Sequence, residues 1–172
     1  MPSDTDAIER IAQGDRAAFA ALYERCAPGV YAYLRSRGLD EAGAADALQD
    51  TFLAAWGAAA GFRGGAGPLT WLIGIARHKL ADSVRQRERT RAAPPEQFEG
   101  ACDPMAGQAE RLTLRAAVNT LDLEARELLH LVFVQGLNYS EAAQVLGVPE
   151  GTVKSRMFHI RRALATQMKE AQ

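Results

Sequence analysis

Between Gly151 and Leu164 the chain reads GTVKSRMFHIRRAL. Lys154, Arg156, His159, Arg161 and Arg162 stand there with Thr152 and Ser155, and no acid interrupts them. Such side chains do the chemistry of binding rather than of bond making. Arg offers a planar fork to guanine edges and phosphates, Lys a point charge, and a hydroxyl can donate or accept. A second basic set lies upstream. From Arg63 to Arg91, Arg63, Arg77, Lys79, Arg85, Arg87, Arg89 and Arg91 face only Asp82 and Glu88, a net of +5. Acids gather elsewhere: Asp40, Glu41, Asp46 and Asp50 without a base between 40 and 56, and Glu96, Glu99, Asp103 and Glu110 without a base between 92 and 110. The whole chain is nearly neutral, with 20 Lys and Arg against 21 Asp and Glu. Charge is therefore sorted by position, which points to separate surfaces with separate partners. No nucleophile motif, P-loop or metal-ligand cluster is present, so no enzyme activity, cofactor or small-molecule substrate is expected.

The elements that must carry the downstream set follow from periodicity. Val153, Met157, Ile160 and Leu164 fall at steps of four, three and four, one apolar stripe of a helix. Ser155, Phe158, His159 and Arg162 lie opposite, flanked by Thr152, Lys154, Arg156 and Arg161. Upstream, YSEAAQVLG predicts a short helix stopped by Gly147, with Ala143 small enough for a close helix approach. A short helix, a tight turn and a longer helix with a basic outer face make a helix-turn-helix suited to the major groove. The other reading is a solvated face of a plain helical bundle, but surface helices normally mix signs. Phe158 could touch a thymine methyl or pack.

The rest of the chain predicts an all-α protein. Its 172 residues are 48% apolar, mostly Ala and Leu, and β-branched runs are scarce. Phe19, Leu22 and Tyr23, then Val30, Tyr31 and Leu34, suggest helices. Ala45, Leu48, Phe52, Ala55 and Trp56 repeat at helical spacing, as do Leu72, Ile75, Ala76 and Leu80. Thr70, Asp122 and Ser140 are the expected N-caps, Gly136 and Gly147 the expected stops. The stretch AAPPEQFEGACDPMAG reads as a flexible linker. The expected organisation is two small helical domains, 1–91 and 108–172, joined by 92–107. No stretch approaches the ~20 apolar residues of a membrane span, and the polar start is unlike a signal peptide, so membrane insertion is not expected and the compartment is the cytoplasm. Cys26 and Cys102 form no metal pattern and read as reduced thiols.

Two further segments, DALQDTFLAAWGAAAGFRG and TWLIGIARHKLADSVRQR, resemble the promoter-melting and core-binding domain of bacterial sigma factors. LDLEARELLHLVFVQGLNYSEAAQVLGVPEGTVKSRMFHIRRAL resembles their second DNA-binding domain. In this order, joined by such a linker, they resemble a sigma factor of the extracytoplasmic-function (ECF) type in the sigma-70 family, from about Asp15 to Leu164. The resemblance implies promoter-specific transcription initiation with core RNA polymerase and promoter DNA as partners, and an anti-sigma factor as regulator. It implies that Asp46, Gln49, Asp50 and Phe52 grip polymerase. The loop from Arg63 to Leu69, with Gly64, Gly65, Ala66 and Gly67, would take a base flipped from the minus-ten element, with Trp71 either stacking on DNA or anchoring the core. Arg77, His78, Lys79, Arg85 and Arg87 would line the melting strand. His78 departs from the Asn often found there. Thr152, Lys154, Ser155, Arg156, His159, Arg161 and Arg162 would read the minus-thirty-five element. The acids of the linker suit a basic channel in polymerase. The alternative is a stand-alone helix-turn-helix regulator that binds duplex without polymerase; a helical adaptor is a more distant one.

Overall fold

The Ala- and Leu-rich periodic segments fold as helices, and among the described residues there is no strand. The computed structural model describes residues 4–90 and 108–170, without the side chains of 4, 5, 84–90, 108–113 and 170. The chain divides into two units between Gln97 and Phe98. The expected linker at 92–107, with Cys102, lies outside the described residues.

The first unit holds α1 (Asp4–Ala12), α2 (Arg16–Ser36), α3 (Glu41–Ala58), a short 3-10 turn (Ala59–Gly61) and α4 (Pro68–Thr90). Asp15 caps α2, accepting from the amides of Ala17 at 2.9 Å and Ala18 at 3.0 Å. Asp40 caps α3 through the Gly43 amide at 2.8 Å. Pro28 sits inside α2 and cannot donate to the carbonyl one turn back. The helix nevertheless runs on, because Val30, Tyr33 and Leu34 beyond it are fully buried. Burying side chains of this size contributes about 1.5–3 kcal/mol each, which offsets one lost bond. Ala44, Leu48, Phe52 and Ala55 of α3 meet Leu72, Ile73 and Ala76 of α4 in the same core. Phe19 stands edge-on to Phe52 and Trp56, with ring centres 6.0 and 5.0 Å apart. This aromatic seam fixes α2 against α3.

Thr70 does not cap α4. It is buried within the first turn, and the helix starts at Pro68, whose missing N–H costs nothing there. The Trp71 amide closes the turn on the Gly67 carbonyl at 3.1 Å. A helix absent from the expected set, α1, buries Ile8 and Ile11 completely or nearly so, and packs on α2.

The second unit holds α5 (Gln108–Asn119), α6 (Leu123–Leu129) continued by a π-helical turn (His130–Val134), α7 (Tyr139–Leu146) and α8 (Glu150–Glu170). Asp122 caps α6 through the Ala125 amide at 2.7 Å. Ser140 does not cap α7. Asn138 does, in a reciprocal capping box: it accepts from the Glu141 amide at 3.0 Å, and Glu141 accepts from the Asn138 amide at 2.9 Å. Leu128, Leu131, Ala142, Val153 and Met157 are buried to 1% exposure or less and form the centre of this unit.

Candidate nucleic-acid interface

In α8 the apolar stripe and the polar face separate cleanly. Val153 is fully buried, Met157 1% and Ile160 5% exposed, while Leu164 is half-buried. Ser155, Phe158, His159, Arg161 and Arg162 are exposed, Phe158 by 63%. The Phe158 ring stands edge-on to His159 with centres 5.6 Å apart. Thr152 is half-buried in the first turn, its amide bonded to the Pro149 carbonyl at 2.9 Å. Between α7 and α8, Gly147 takes the left-handed conformation at φ 69°, and its amide and that of Val148 both return to the Ala143 carbonyl. A side chain at Gly147 would be strained in that conformation, so the turn needs glycine. Ala143 is 7% exposed at the junction. The result is a rigid helix-turn-helix with its second helix projecting hydroxyls and cations.

Two of the cations are engaged. Lys154 pairs with Glu150 one turn earlier at 2.7 Å, and that carboxylate raises the Lys154 pKa above its ordinary value. Arg156 reaches Glu124 at the start of α6, 3.0 Å away. Glu124 escaped the sequence reading because no local spacing relates positions 124 and 156; only the packing of α6 on α8 brings them together.

In the first unit, Arg63 is exposed at the head of a glycine loop. Gly64 and Gly65 hold φ of 74° and 84°, a region other residues rarely adopt. Ala66 and Gly67 follow, both half-buried, and lead into α4. Trp71 is half-buried with its ring 5.2 Å from that of Phe62, so it braces the base of the loop and keeps part of its surface outside. Along α4, Arg77 is half-buried while His78 and Lys79 are exposed. Arg85 and Arg87 continue the helix, but their side chains lie outside the described residues.

On α3, Asp46, Gln49 and Asp50 are exposed, but Phe52 is 3% exposed, its ring 4.6 Å from that of Tyr23. Phe52 thus belongs to the core stripe. The apolar group beside the acids is Leu53, 71% exposed. The signal was present: 46, 49, 50 and 53 fall at i, i+3, i+4 and i+7, one helix face. Cys26 is buried, and among the described residues no cluster of His, Cys, Asp and Glu could hold a metal ion.

Two helical units, one carrying a helix-turn-helix with a basic exposed face and the other a glycine loop ahead of a basic helix, define a DNA-binding protein of modular build. Residues 22–90 match the family model "Sigma-70 region 2" and residues 111–164 match "Sigma-70, region 4". The chain is 35% identical to the ECF RNA polymerase sigma factor SigC of Mycobacterium tuberculosis, over 94% of this chain and 91% of that one. It is 32% identical to SigM of the same organism, over 95% and 83%. Among solved structures, CnrH in complex with the cytosolic domain of CnrY is similar with a TM-score of 0.69 at 27% identity, covering 98% of this chain and 99% of that one. The sigma factor RpoE of Bartonella quintana, solved with the anti-sigma factor NepR, is similar with a TM-score of 0.69 at 25% identity, covering 88% and 96%. The chain belongs to the ECF group of the sigma-70 family and is an alternative RNA polymerase sigma factor.

Proposed function

We propose that this chain carries RNA polymerase to promoters with two spaced elements, and that each unit reads one of them. The observation that carries the assignment is the outer face of α8, where Ser155, His159, Arg161 and Arg162 are exposed above a fully buried Val153 and a nearly buried Met157. A helix so anchored can enter the major groove without rearranging its core. There Arg162 and Arg161 reach guanine edges or phosphates, Ser155 and Thr152 address base edges near the helix start, and Phe158 offers an apolar surface to a thymine methyl.

The loop of Arg63, Gly64, Gly65, Ala66 and Gly67 suits the minus-ten element. A flipped base needs backbone that can come close, and the positive φ of Gly64 and Gly65 supports such an approach. Arg77, His78, Lys79 and Arg85 then track the phosphates of the separated strand. At His78 a ring nitrogen takes the place of the amide that the family often has. Melting draws on binding energy, and the chemistry of transcription belongs to polymerase, so the chain itself catalyses no reaction.

Polymerase is gripped by the α3 face of Asp46, Gln49, Asp50 and Leu53, where carboxylates and an amide surround one exposed apolar group. Phe52 supports that face from inside. The replacement of both Asp50 and Gln49 by Ala reduces polymerase affinity; normal binding of that double variant would move the docking surface elsewhere. Two similar proteins were solved with protein partners, CnrH with the cytosolic domain of CnrY and the sigma factor RpoE with the anti-sigma factor NepR. An anti-sigma factor that covers these surfaces is the corresponding regulator here. The site of action is the cytoplasm, in keeping with the absence, among the described residues, of any helix long and apolar enough to cross a membrane.

Run-off transcription from a genomic promoter library, with core polymerase and with or without this protein, tests the reading. Protein-dependent transcripts should share two upstream elements at fixed spacing. Specific duplex binding by the protein alone, with no such transcripts, would favour the stand-alone regulator instead.

A further inference from the structure

The recognition face of α8 carries its own counter-charges. Of its four Lys and Arg side chains, Lys154 is held by Glu150 at 2.7 Å and Arg156 by Glu124 at 3.0 Å. Arg161 and Arg162 form no ion pair among the described residues. The two carboxylates come from different places. Glu150 opens α8 itself, and Glu124 stands in the first turn of α6 beside the capping Asp122. Both are exposed, and each sits on a cation of the proposed reading face.

The geometry points to Glu124 and Glu150 as specificity-determining residues that hold Lys154 and Arg156 against non-specific DNA, so that α8 engages a duplex only where base contacts replace the two ion pairs. The inference rests on α8 being the duplex-reading helix. Its physical basis is the dominance of phosphate neutralisation in non-specific binding. Two paired cations contribute nothing to that term until their carboxylates are displaced, and each carboxylate repels the phosphates it faces. A guanine edge is different. It offers neutral acceptors in a fixed pattern, and the bidentate fork of Arg on them offsets the loss of the displaced carboxylate. The acids thus penalise phosphate-only binding more than matched binding, which is how negative charge near a reading head raises discrimination.

A buttress reading predicts the opposite sign. If Glu124 merely held Arg156 in a productive pose, its removal would weaken promoter binding. The test uses the full chain as Glu124→Gln, Glu150→Gln, the double variant and Arg162→Ala. Anisotropy titrations are run on a labelled duplex lacking the minus-thirty-five element and on one containing it, across salt. Each freed cation adds about 0.9 to the slope of log affinity against log salt, so the double variant's slope should steepen by about 1.8. Between about 50 and 200 mM salt its affinity for the element-free duplex should then fall roughly tenfold more than that of the unaltered chain. At the lower salt it should bind that duplex more tightly, and the ratio of element to element-free affinity should drop. Unchanged slope and ratio, or weaker binding to the element, overturns the proposal provided Arg162→Ala still weakens duplex binding. If Arg162→Ala leaves both duplexes unaffected, α8 is not the reading helix, and both the proposal and the assignment beneath it fall. Both replaced carboxylates are exposed side chains, and far-ultraviolet dichroism checks that the helices persist.

Discussion

α4 and α8 are both basic helices docked by one apolar stripe, yet they present their charge in different ways. α8 follows a tight glycine turn and stands on a core of Val153, Met157 and Ile160, with its cations fixed to one rigid face. α4 follows a loop whose Gly64 and Gly65 have positive φ, and the loop itself belongs to the proposed surface. A duplex offers a groove of set width, so a stiff helix can match it before contact. A base leaving the stack has no set position, so backbone able to adapt matters more there than side-chain reach. On α8 two acids lie within ion-pairing distance of the cations, Glu150 at Lys154 and Glu124 at Arg156.

The largest expected effect separates the two units by stability. Leu131→Ala opens a cavity in the second unit, where Leu131 is fully buried, and should cost that unit about 2–5 kcal/mol. A small domain has roughly 5–15 kcal/mol in all, so α8 should lose most of its folded population under mild denaturant while the first unit's transition stays put. Hydrogen exchange or a two-stage denaturation curve reads this directly. One shared transition that moves as a whole would break the comparison, because the units would then not be energetically separate.

Next comes Arg162→Ala. A base-reading Arg162 should cost about 1–3 kcal/mol on promoters with the preferred upstream element and much less on others. Equal loss on every sequence would make it a phosphate contact and leave base reading to Ser155, His159 and Arg161. Gly65→Ala sharpens the other side. No heavy atom lies within 4 Å of the added methyl, so only the φ of 84° resists it, at about 1 kcal/mol. Folding should survive. Open-complex formation should slow while initial promoter binding is retained, and an unchanged rate would remove the loop from the melting step.

The two regions were not equally legible in the sequence. The stripe Val153, Met157 and Ile160 could be read from spacing alone, because a helix buried on one side leaves a 3.6-residue signature. Phe52 was harder. It sits beside Leu53, and either could have been the outward residue until the partners of the stripe were known. A hydroxyl near a helix start does not fix the cap: Thr70 lies inside the first turn of α4, and Ser140 stands two residues after Asn138, the cap of α7. At α7 the Asn138 and Glu141 pair was the better signal, since only a reciprocal box satisfies both amides. α1 is not among the expected helices, although Ile8 and Ile11 stand at helical spacing. The pairing of Glu124 with Arg156 was beyond sequence reading altogether, being a product of tertiary packing.

The smallest expected effect concerns a cap in the first unit. Asp15 accepts from the Ala18 and Ala17 amides and from Arg10, whose Nη2 lies 2.6 Å away. The Ala18 amide first, and then Arg10, hold its carboxyl below the ordinary 3.8. Because the folded value is lowered, the ionised cap favours the folded state. That contribution is complete above the unfolded value and is lost as pH falls through the folded one. Asp15→Asn keeps a capping oxygen but removes the charge. The gap in denaturant midpoint between the two proteins should therefore be widest near neutral pH and close in strong acid. Being exposed, the pair is also screened, so the gap should narrow in high salt. A gap of constant size at every pH would mean that Asn fails as a cap for geometric reasons and that the negative charge of Asp15 contributes nothing. A gap that closes in acid and in salt would assign the difference between α2 and α8 to charge: at the start of α2 a carboxylate stabilises its own helix, whereas beside α8 carboxylates restrain what the helix can bind.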